Sequence, residues 1–171
     1  MNNKEEQNKS EKERLEFCIQ RYDHFFDSVH NKSTVYLTLS TFVLGGLVAG
    51  FTQMNNVIEY TTVFKFIYSI PIFFGLITVC LIIYASIPFL SKNSKSIFYF
   101  GGVAARMDED FCSKSRTITQ EDEMEDLRNQ AHVLASGLLK KYDKLKIAGY
   151  LLLAQLISLS ALFLYITINL K

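Results

Sequence analysis

The stretch FFDSVHNKSTVYLTLSTFVLGG, residues 25–46, changes solvent within a few positions. Asp27, His30, Asn31 and Lys32 crowd its first third, and beyond Ser33 the next Asp, Glu, Lys, Arg or His is Glu59. A helix rises about 1.5 Å per residue and a hydrocarbon core is about 30 Å thick, so an uncharged run of this length can cross a bilayer. The polar cluster at its entrance has two readings. It is either the wet end of a membrane helix, or a place where something polar is bound and the membrane feels the consequence.

Two further runs share this character. The apolar residues concentrate in Thr34–Phe51, Phe66–Leu90 and Ile147–Leu170 rather than being dispersed as in a globular domain. The spans are therefore placed at 34–51, 63–90 and 147–170, and the fold class is an all-α membrane protein. No signal peptide is expected, because residues 1–32 have neither a short apolar core nor a small-residue cleavage site. Orientation follows from Lys and Arg beside the spans. Residues 1–32 hold six of them and 91–146 hold ten, whereas the loop 52–62 holds none. The N-terminus and the 91–146 segment are thus expected in the cytoplasm, and the 52–62 loop and the C-terminus outside.

The polar part reads as a small cytoplasmic helical stalk. Residues 1–10 are polar without period and are expected to be disordered. Leu15, Cys18, Ile19, Tyr22, Phe26 and Val29 recur at three- and four-residue steps, giving an amphipathic helix over 11–32, with Phe17 and Phe25 off that face. Met124, Leu127, Ala131, Leu134, Leu138 and Leu145 give a second helix over 119–146, started by Thr119 with acidic residues behind it. Nothing between them stops that helix before the third span. Both helices enter the membrane from one side and so run parallel. Their apolar stripes must be buried against each other or against another subunit, and a homo-oligomer with Leu127, Leu134 and Leu138 in its seam is expected, because a stalk this small leaves apolar surface uncovered. Residues 91–118, with Ile97–Phe100 and Gly101-Gly102, read as an interfacial segment.

The functional classes narrow by exclusion. A formal net charge of +1 lacks the basic field that nucleic acid requires. No nucleophile elbow, phosphate-binding glycine loop or zinc-protease histidine pair is present, so no catalytic residues, no metal and no cofactor are expected. Asp27 and His30 at i, i+3, with His24 a turn away, are read as interfacial rather than as metal ligands. The three cysteines, Cys18, Cys80 and Cys112, are widely spaced and expected to be free thiols. No ionisable residue lies in the middle of a span, which argues against an ion or proton path. The spans carry packing chemistry instead: Gly46 and Gly50 in a small-residue seam, and Gln155 well inside the third span. For ligand binding, Asn31 and Lys32 of the first helix, with Arg128, Gln130, His132 and Tyr142 of the second, offer cations, an amide and an aromatic face for a small anion bearing a heterocycle. Charged flanks kept only for solubility would look the same.

Three motifs give this order of segments a family likeness. D-S-V-H-N-K-S (Asp27–Ser33) before the first span, S-I-F-Y-F-G-G (Ser96–Gly102) after the second and N-Q-A-H-V-L-A-S-G-L-L-K-K-Y-D-K-L (Asn129–Leu145) before the third resemble the Pycsar transmembrane effectors. The resemblance covers the chain from about Leu15 to its end. It implies an antiphage effector that senses cCMP or cUMP, a cyclic pyrimidine mononucleotide made by an adjacent cyclase, and impairs the inner membrane in abortive infection. The alternative reading is a constitutive membrane scaffold or assembly protein that binds a protein partner through the stalk.

Overall fold

The computed structural model describes residues 2–54, 58–59, 61–87 and 96–169, with side chains from Glu6 onward. The expected span end at 88–90, residues 91–95 and the C-terminal Leu170 and Lys171 lie outside the described residues. Among the described residues five helices follow one another: α1 (Asn2–Phe51), α2 (Thr62–Ser86), α3 (Phe100–Ala104), α4 (Asp108–Thr117) and α5 (Gln120–Ile168). No strand occurs among the described residues. Three of the helices contain segments long and apolar enough to cross a membrane, as the three apolar runs require.

Two of these helices run unbroken from a polar lead-in into a span. α1 carries the amphipathic lead-in and the first span as one helix, and α5 does the same for the second lead-in and the third span. Neither junction contains a proline or a capping break, so the backbone ladder simply continues across the change of solvent. α1 also begins at Asn2, where the sequence suggests no regular structure before Glu11. The residues there, mostly Lys, Glu, Gln and Asn, include strong helix formers, and Arg14 Nη1 donates to Ser10 Oγ one turn back. α5 starts as its sequence dictates: Asp122 N–H donates to Thr119 Oγ1 at 3.2 Å, with Glu121, Asp122 and Glu123 on the positive end of the helix dipole. α2 is capped alike, with Phe64 N–H donating to Thr61 Oγ1. It begins at Thr62, so Pro71 sits inside the helix and removes one backbone donor there.

The chain forms two compact units, Met1–Asp27 with Pro88–Lys140, and Ser28–Ile87 with Lys141–Lys171. In the first, the early part of α1 packs on the early part of α5, and Met124, Leu127 and Leu138 are buried. Of the expected oligomer seam, Leu134 is half-buried. Leu127 and Leu138 are already covered within the chain, because the two amphipathic stripes face each other. Asp126 Oδ2 accepts from Ile97 N–H at 2.8 Å and ties the segment before α3 to α5.

In the second unit the apolar parts of α1, α2 and α5 form a three-helix bundle. α1 and α5 run parallel, with Tyr36 against Gly149, Ser40 against Gln155, and Leu47 in one cluster with Leu162. α2 runs the other way, its Tyr68 against Leu47 and its Gly75 against Ser40. Phe64, fully buried, holds the end where Leu47, Ile58, Tyr68 and Leu162 meet. Phe42, Phe66, Ile157 and Phe163 point outward on the bundle, the pattern of a surface solvated by lipid rather than water.

Candidate functional site

The six residues assigned to a ligand from the sequence are divided between the two units. Arg128, Gln130 and His132 belong to the first; Asn31, Lys32 and Tyr142 belong to the second; neither unit holds the whole set. Asn31, Lys32, Arg128 and His132 are exposed, and Gln130 and Tyr142 are half-buried. Arg128 is engaged: its Nε donates to Glu11 Oε1 at 2.7 Å. Beside it Lys12 Nζ donates to Glu123 Oε1 at 2.8 Å. These two pairs pin the start of α1 to α5.

These contacts shift the acidity of Glu11, Lys12 and Arg128. The hydrogen bond from Arg128 lowers the Glu11 carboxyl below its usual range, and the Glu123 carboxylate raises the Lys12 ammonium and Glu11 raises Arg128. A lowered carboxyl contributes stability above its unfolded value and loses it as pH falls through the folded one. A raised ammonium contributes below its unfolded value and loses it as pH rises through the folded one. The pairing of α1 with α5 is therefore expected to be flat through neutral pH. It weakens only in acid, below the ordinary carboxylate range, or in strong base. Because the groups are exposed, added salt weakens it too. Hydrogen exchange of the α1 amides around Glu11 measures this, and Glu11→Gln is expected to remove most of the acid sensitivity.

A second polar and aromatic group lies wholly within the first unit and, as a group, is not among the six residues assigned from the sequence. Phe17, Gln20, Arg21, His24 and Phe25 line a shallow groove of about 400 Å3 along α1. The Arg21 guanidinium carbon lies 5.7 Å from the Phe17 ring centroid and 5.6 Å from that of Phe25. Spacings of four residues on either side of Arg21 put both rings on its face of the helix, so the cation is bracketed by two π faces. The spacing Phe-x3-Arg-x3-Phe is the signal that could have disclosed it. No carboxylate pairs with Arg21 among the described residues.

In the second unit the bundle is joined at a buried polar node. Ser40 Oγ of α1 donates to Gln155 Oε1 of α5 at 2.8 Å and lies 3.2 Å from the Gly75 carbonyl of α2. Gln155 Nε2 in turn donates to Ser40 O at 3.4 Å. Ser40 and Gln155 are fully buried, as is Thr78 one turn from Gly75. Gly75 is needed here. A Cβ on it would overlap the Gln155 amide and lie 2.8 Å from Leu44 Cδ2. The two glycines of the expected seam differ: a Cβ on Gly50 would meet the Tyr68 hydroxyl at 3.8 Å, whereas one on Gly46 would meet nothing within 4 Å. At the other end of α2, Lys144 Nζ sits 3.9 Å from the Tyr84 ring centroid.

Among the described residues no group of three or more His, Cys, Asp or Glu is placed to hold a metal ion. The three cysteines are free, Cys18 half-buried and the others exposed.

The family model described as the Pycsar effector protein domain, PycTM, matches residues 14–168. No match was found among curated proteins or among solved structures. The matched segment takes in most of both compact units, the groove on α1 and the three apolar runs, and the chain belongs to the PycTM family of Pycsar effector domains.

Proposed function

We propose that this antiphage effector senses a cyclic pyrimidine nucleotide, cCMP or cUMP, from a partner cyclase and responds by impairing the inner membrane. The observation that carries the reading is the family match over 14–168 on a chain with three membrane-capable helices. The sensing part is the first unit with the entrance to the spans, facing the cytoplasm, and the responding part is the bundle. Two places offer the chemistry of such a ligand. Asn31, Lys32 and Tyr142 of the second unit supply an amide, a cation and an aromatic face at the entrance to the spans. The groove around Arg21 supplies the same combination on one helix.

The continuity of α1 and α5 supports the coupling. Each is a single helix from the polar part into the bundle, so a rotation imposed at one end is carried by the backbone to Ser40 and Gln155. The ligand needs to favour the rearranged state by about 5.5 kcal/mol to move a population from 1:99 to 99:1. Two to three charge-assisted hydrogen bonds made only in that state, at about 1.5–3 kcal/mol each, are of that order.

Titration of the detergent-solubilised protein with cCMP, cUMP, cAMP and cGMP tests the reading. Saturable binding of a pyrimidine nucleotide with the purine nucleotides at least tenfold weaker is expected. Binding of none of the four, or equal binding of purines, would overturn it.

A further inference from the structure

The groove on α1 is half a site. Its five lining residues come from one helix, so a bound molecule would keep its opposite side in water, whereas small-ligand sites bury most of their ligand. Yet its chemistry is specific. Arg21 has no carboxylate partner among the described residues and presents a planar fork of N–H donors suited to a phosphate. Phe17, 57% exposed, and the half-buried Phe25 flank it with ring faces on which a base can stack. Gln20 and His24 lie between the rings on the same groove. A Gln amide can present its donor or its acceptor by turning over. It therefore suits both the N3 acceptor and N4 donor of cytosine and the N3 donor and O4 acceptor of uracil.

The missing wall follows from how such chains can meet. Copies inserted in one bilayer in one orientation associate about an axis normal to it, so equal levels of the helix face each other. Two α1 helices meeting along this groove would bring together two Phe17, two Phe25 and two Arg21. The rings favour the contact. The two guanidinium groups oppose it unless an anion lies between them, and a cyclic monophosphate carries one negative charge.

We propose that Phe17, Gln20, Arg21, His24 and Phe25 form one half of the cyclic-nucleotide site and that the same five residues of a second copy form the other half. The nucleotide then clamps two copies together: its phosphate lies between the two guanidinium groups and its base is stacked between phenyl rings. Binding and association are one event, and association draws the two α1 helices, with their spans, toward each other. This rests on the proposal that the protein senses a cyclic pyrimidine nucleotide.

The test uses the full-length protein in detergent, with cCMP and cUMP as probes, and measures affinity by calorimetry and protein mass by light scattering. Wild type is expected to bind one of them and to double its protein mass on doing so. Arg21→Ala, at an exposed position, is expected to keep its helicity and to bind at least about a hundredfold more weakly, the loss of the two charge-assisted contacts that the paired copies supply. It should also show no mass increase. Phe17→Ala is expected to weaken both, and Arg116→Ala, which removes the same charge from α4, to change neither. Wild-type affinity in Arg21→Ala, or loss of binding in Lys32→Ala but not in Arg21→Ala, would overturn the assignment and leave the sensing function standing. Tight binding with no change in mass would overturn the shared site. Failure of wild type to bind either nucleotide would instead remove the functional reading on which the proposal rests.

Discussion

Truncating Phe64 to alanine is expected to cost about 3–5 kcal/mol of folding stability, the largest loss from any single side chain in the bundle. Phe64 is fully buried at the start of α2, with ring centroids 5.4 Å from Tyr68 and 6.3 Å from Tyr165. It thereby joins α2 to α5, and Tyr68 carries the contact on to α1 through its hydroxyl, which donates to the Leu47 carbonyl. In a bilayer, packing rather than escape from water holds helices together, so a void at this junction has no compensating gain elsewhere. Reversible unfolding in mixed detergent micelles measures the loss. A change under about 1 kcal/mol would mean that this end of the bundle is not close-packed.

Gly75→Ala is expected to destabilise the bundle by about 1–3 kcal/mol, as overpacking does in a filled interior. The added methyl group meets the Gln155 amide and Leu44, so the amide must leave Ser40 or the helices must separate. The effect is specific to that amide. Gln155→Ala in the same chain is expected to recover a large part of the loss, because the side chain that blocks the methyl group is gone and only Leu44 remains to adjust. By itself Gln155→Ala is expected to cost less than Gly75→Ala, since interhelical hydrogen bonds in membranes average only about 0.6 kcal/mol. A double mutant whose loss equals the sum of the two single ones would contradict the node as described.

These residues also mark what was legible in the sequence. The three spans, the parallel pairing of α1 with α5 in the bundle and the continuity of each through the change of solvent follow from uncharged runs, from Lys and Arg placement and from the lack of any helix stop. Gln155 drew notice as a polar group in an apolar run, but its partners Ser40 and Gly75 did not. A serine and a glycine in a span are ordinary, and only the rotation of each helix decides which of them meet. Gly46 has the spacing of a packing motif yet faces open space within the chain, for the same reason. Leu127 and Leu138 show the converse. Their apolar period was correctly read as buried, but periodicity cannot say whether the cover comes from the same chain or from another. The ligand residues were chosen by type at one expected depth, and Arg128 proved to be held by Glu11 while Arg21, bracketed by phenylalanines, has no carboxylate partner among the described residues.

Dye release from sealed vesicles containing the full-length protein tests most directly that this is a nucleotide-gated membrane effector. Nucleotide is supplied on both faces, so that the orientation of insertion does not matter. The account predicts little release without ligand, rapid release on adding the cyclic pyrimidine nucleotide that binds, and no response to cAMP or cGMP. Intact vesicles in the presence of saturating, demonstrably bound nucleotide would contradict it, as would release that is equally fast with no nucleotide at all.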